Sequence, residues 1–115
     1  MNNFKVFNKL VRDKIPEILT KNGCEPEVEI LSDDEYVEAL SQKLLEEANE
    51  VINAEDKVNK IEEIADVLEV IYAIMGTLEV TSEDVENVRL QKKEKRGGFN
   101  SKILLKKAVV VKSLN

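Results

Sequence analysis

Two groups of acidic residues carry the chemical interest of this chain: Glu46-Glu47-Ala48-Asn49-Glu50 and, twelve residues further on, Glu63-Ile64-Ala65-Asp66. Each residue of an α-helix turns the chain by about 100°, so residues three apart share a face. Glu47 then neighbours Glu50, and Glu63 neighbours Asp66. In the first stretch Val37, Leu40, Leu44, Ala48 and Val51 form an apolar stripe with Glu47 at its edge and Glu46 pointing away. In the second, Glu63 projects among Val67, Val70 and Ile74, with Asp66 beside it. A half-buried carboxylate is costly unless a cation or a donor compensates it, and crowded carboxylates repel one another and take up protons. The chain has 0 His, and the converging residues bring no basic partner of their own. A hard divalent cation held by oxygens is the economical explanation, Mg²⁺ first and Mn²⁺ as a substitute. The plain alternative is a solvated face, since 35% of the residues are charged; it accounts for one Glu-rich helix better than for acids set in an apolar one.

These acids need two long helices to hold them. Ser32 or Asp33 caps a helix over about Asp34 to Ala54, and a second follows the polar break Ala54-Glu55-Asp56 and runs to Met75, where Gly76-Thr77 weakens it. A short connection makes the two antiparallel and turns the acid pairs toward each other. Before them, Asp13 is a candidate N-cap, with Pro16 in the first turn of a helix that runs to about Asn22 and stops at Gly23. After them, Thr81-Ser82-Glu83-Asp84 opens a further helix that ends in Lys92-Lys93-Glu94-Lys95-Arg96-Gly97-Gly98. Val28 and Ile30 alternate with Glu27 and Glu29, and Ile103 to Val111 ends in β-branched residues. A short two-stranded pair between Val28–Leu31 and Ile103–Val111 fits that pattern. The expectation is a mainly α fold, an antiparallel bundle of about four helices with that β pair, acting as the protomer of an oligomer.

Length and composition bound the rest. The 115 residues suit a single domain, residues 1–115, and 43% hydrophobic with 4% aromatic residues describes an aliphatic core built by helix packing. Phe4, Phe7, Tyr36, Tyr72 and Phe99 are expected in that core. A net charge of −6 argues against a nucleic-acid polymer as partner. The stretch Ile64 to Val80 is too short and too charged to span a bilayer. The one cysteine, Cys24, has no internal partner, and Met1-Asn2-Asn3-Phe4-Lys5 has no signal-peptide character, which places the chain in a reducing cytoplasm.

The two-part acid pattern on two long helices resembles the MazG-like all-α nucleoside triphosphate pyrophosphohydrolase superfamily, which includes phosphoribosyl-ATP pyrophosphohydrolase. More narrowly, Asn8-Lys9-Leu10-Val11-Arg12-Asp13-Lys14-Ile15-Pro16 and Lys95-Arg96-Gly97-Gly98-Phe99 look like the opening and closing motifs of a house-cleaning subgroup. The resemblance implies Glu47, Glu50, Glu63 and Asp66 as Mg²⁺ ligands, with Glu46 assisting. It also implies Lys9, Arg12, Lys14, Lys95 and Arg96 at the triphosphate, and a homodimer or homotetramer.

The expected reaction is cleavage of a nucleoside triphosphate to monophosphate and pyrophosphate, clearing modified or surplus nucleotides, with Glu46 or Glu47 taking the proton from the attacking water. Three alternatives stand beside it: a phosphoribosyl-ATP pyrophosphohydrolase, a non-enzymatic nucleotide-binding regulatory module, and a structural helical module whose acids make intersubunit salt bridges. A di-iron bundle is disfavoured, because such sites use Glu-x-x-His.

Overall fold

The computed structural model describes residues 3–112, among which there are four α-helices and no β-strand. They are α1 (Ile15–Lys21), α2 (Asp33–Asn53), α3 (Lys57–Leu78) and α4 (Ser82–Arg96). The chain divides into two units, Met1–Thr81 and Ser82–Asn115.

In the first unit α2 and α3 pack along each other as an antiparallel pair joined by three residues. Ser32 starts α2 with a capping box: its hydroxyl accepts from the Glu35 N–H at 3.3 Å while its own N–H donates to Glu35 Oε1 at 3.0 Å. Asp56 starts α3 by accepting the Asn59 N–H at 2.8 Å. One turn into α3, Lys60 Nζ donates to the Val51 carbonyl at 2.7 Å. That bond satisfies an end carbonyl of α2 and ties the two helices at their connection. Leu40 of α2 and Val70 and Met75 of α3 are buried at 3%, 8% and 7% exposure. Leu44, Ala48, Val51, Val67, Ile71 and Ile74 are half-buried around them.

Several expectations need correction. The segments Val28–Leu31 and 103–111 form neither helix nor strand. Val28, Ile30, Val109 and Val110 stand 61–96% exposed, and β-branched composition alone supplies no partner for a ladder. Asp13 does not cap α1; Lys14 occupies the N-cap position, with no side-chain cap bond. Gly76 does not weaken α3, which continues to Leu78 and closes on Glu79 in the left-handed conformation, φ 57°. One interior glycine costs a helix only about 1 kcal/mol, which packing against a neighbour outweighs. The aromatics Phe4, Phe7, Tyr72 and Phe99 are exposed rather than core.

In the second unit α4 ends at Gly97, whose φ of +81° is the left-handed value that stops a helix, as the sequence led us to expect. All of α4 is exposed, and within it Arg89 pairs with Glu86.

Candidate functional site

The antiparallel register of α2 and α3 brings the carboxylates of Glu47, Glu63 and Asp66 together, with one oxygen from each within 4.8 Å of the others. Glu47 lies on the buried side of α2 at 9% exposure, and Glu63 and Asp66 lie half-buried one turn apart on α3. Glu50 is exposed and falls outside this group of three, yet its charge still acts on Glu63. Partial burial and then the charges of Asp66, Glu50, Glu47 and Glu62 push the Glu63 carboxyl above its ordinary value of 4.5.

Basic side chains do reach these acids, contrary to the expectation that none would. Arg12 Nη2 donates to Asp66 Oδ1 at 2.7 Å. Lys9 Nζ lies 3.4 Å from Glu46 Oε1. Both belong to the segment ahead of α1, which has no regular structure and touches α2 through Lys9 and α3 through Arg12. Asn8, in the left-handed conformation at φ 45°, turns that segment just before Lys9, whose ammonium also lies 5.9 Å from the Phe7 ring.

Lys43 is a residue the sequence reading missed. Its ammonium lies 3.2 Å from Glu47 Oε1 and 3.4 Å from Glu46 Oε1, with its side chain only 16% exposed. The signal was present: Lys43 precedes Glu46 by three residues and Glu47 by four, the spacings at which helical side chains meet. Burial raises the Glu46 carboxyl, but the Lys43 charge and the Lys9 hydrogen bond and charge outweigh it and hold Glu46 below 4.5.

The donor set fits a hard divalent cation: three carboxylates converge from two packed helices, and their crowding pushes the Glu63 carboxyl up. Lys14 is exposed at the start of α1 and Lys95 and Arg96 are exposed in the last turn of α4, each in its own unit.

The crowding has a measurable consequence. With its carboxyl raised, Glu63 binds a proton more tightly in the folded chain than in the unfolded one, so metal-free stability falls as pH rises through and above 4.5. Glu63→Gln removes the ionisation. Thermal melts in chelator are expected to show the variant more stable than the parent at pH 7, with the gap closing well below pH 4.5. A gap independent of pH would assign the effect to packing.

No solved structure matches the chain. An uncharacterized protein of Mycolicibacterium smegmatis is 47% identical over 49 residues, a match that covers 43% of this chain and 50% of that relative. Residues 6–93, which include the basic segment and all five acids, match the phosphoribosyl-ATP pyrophosphohydrolase family. The chain belongs to that family, within the MazG-like all-α nucleoside triphosphate pyrophosphohydrolase superfamily.

Proposed function

We propose that the chain is a Mg²⁺-dependent pyrophosphohydrolase that cleaves a nucleoside triphosphate between its α- and β-phosphates, releasing monophosphate and pyrophosphate and clearing modified or surplus nucleotides from the cytoplasmic pool. The observation that carries this reading is the convergence of Glu47, Glu63 and Asp66 within 4.8 Å. Those three side chains, with Glu50 at the margin, would hold the cation, with Mn²⁺ as a substitute. Bound there, it supplies charge neutralisation at the phosphate oxygens and polarises the attacking water.

The protein's own groups do the rest. Glu46 is kept ionised by Lys43 and Lys9, and both lysines reach its Oε1, which leaves Oε2 to accept a proton from water. Glu47 is the second candidate for that step. Lys9, Arg12 and Lys14 from the opening segment would take the charge of the leaving pyrophosphate. The family match from residue 6 to residue 93 crosses the division at Thr81, which supports one functional domain. A homodimer or homotetramer is the working form we favour. Leu45, Ile52, Ile61, Ile64, Leu68 and Tyr72 leave 45–73% of their surface uncovered, more than a lone helical pair tolerates well.

The family's description favours a second substrate, phosphoribosyl-ATP, for the same chemistry. Pyrophosphate release should therefore be measured from ordinary and modified nucleoside triphosphates and from phosphoribosyl-ATP, each with Mg²⁺ and with chelator. Release confined to the Mg²⁺ samples is expected, and the best substrate names the branch. No release from any of them, with Mg²⁺ still raising the melting temperature, would replace the enzyme with a nucleotide-binding module.

A further inference from the structure

We propose that Arg12 is a built-in counter-ion of the site, seated on Asp66 in the metal-free protein and displaced when a divalent cation binds. The inference rests on the reading of Glu47, Glu63 and Asp66 as cation ligands and adds a competitor for the same oxygens. Arg12 Nη2 lies 2.7 Å from Asp66 Oδ1, and Asp66 is one of the three converging carboxylates. A guanidinium at that distance and a divalent cation on the same carboxylate stand a few ångströms apart, where like charges repel even through water. One of them must give way.

Arg12 is the one free to move. Its side chain is 56% exposed, and it belongs to a segment without helix or strand, so its departure opens no cavity and breaks no helical bond. The acids, by contrast, are fixed on two packed helices. Lys43 has less room to swing away from Glu46 and Glu47, with 16% of its side chain exposed against 56% for Arg12. Once displaced, Arg12 remains beside the site as a free cation for a phosphate oxygen. Ligand charge and metal are thereby coupled through one side chain.

The test titrates Mn²⁺ alone into the full chain and follows the free ion by its paramagnetic resonance, with no nucleotide and no turnover. Removing a competing charge at this distance in a solvated site is expected to tighten Mn²⁺ binding by about three- to tenfold in Arg12→Ala. Arg89→Ala, which removes one positive charge from α4, is expected to leave the affinity unchanged. The Arg12 effect is expected to shrink as salt is added. Equal affinity in parent and Arg12→Ala would overturn the exchange while leaving the metal site intact. Weaker binding in Arg12→Ala would overturn it by showing that Arg12 organises the ligands. No Mn²⁺ bound by parent or variant would overturn the metal reading and the exchange with it. Melting curves confirm that each variant is folded, as the exposure of Arg12 leads us to expect.

Discussion

Glu63→Ala is expected to lower pyrophosphate release at least about 100-fold at saturating Mg²⁺, while the metal-free protein melts no lower than its parent. The two halves of this result have one cause. Glu63 is one of the three converging carboxylates and feels the charges of Asp66, Glu50, Glu47 and Glu62, so its loss removes one of three donors. In the absence of metal the same proximity is a cost, and deleting the carboxylate relieves it. A residue that packs the hairpin would behave in the opposite way, losing stability and activity together. Steady-state assays of the variant beside chelator-treated melts separate the two. Hydrolysis within tenfold of the parent would show that the carboxylate cluster is not where the reaction occurs.

Leu40→Ala is expected to have the largest effect on stability, about 2–5 kcal/mol by urea denaturation. Leu40 is 3% exposed, and with Val70 and Met75 it is one of only three apolar residues among those described that are buried. Domains of ordinary stability have about 5–15 kcal/mol in hand, so this one truncation takes a large share. Activity should fall with the folded fraction and return on cooling to the temperature of greatest stability. That recovery distinguishes Leu40 from Glu63, whose loss no change of temperature repairs. A cost under about 1 kcal/mol would mean that the α2–α3 seam is closed by other contacts than those of a single chain.

The helices were legible because their signals are local. Ser32 ahead of α2, the polar break Ala54-Glu55-Asp56 and Gly97 after Arg96 each mark a helix end locally, and the chain uses all three. The convergence of Glu47 with Glu63 and Asp66 was legible too, since i, i+3 spacing and a short connection fix which faces meet. What the sequence hid depends on pieces distant in the chain. Nothing near Asp66 announces that Arg12, 54 residues earlier, would bond to it. Glu50 has the same spacing from Glu47 as Asp66 has from Glu63, but the helix turns it to the exposed side, and only the register decides that. The β pair failed for a related reason: residues 103–111 have strand composition, but a strand needs a partner that composition does not name.

The bond from Lys60 to the Val51 carbonyl has a kinetic side. Residues nine apart close a small loop, and the acids of α2 and α3 lie within the next turns of the same hairpin. Closing so short a loop is among the fastest events in folding, and each further pair along the hairpin then meets at little added entropic cost. The negative charges of Glu47, Glu50, Glu63 and Asp66 meet during that zipping, so they form an electrostatic brake on an otherwise local and rapid step. Neutralising these carboxylates, by protonation or by an added divalent cation, is therefore expected to quicken the closing of the hairpin.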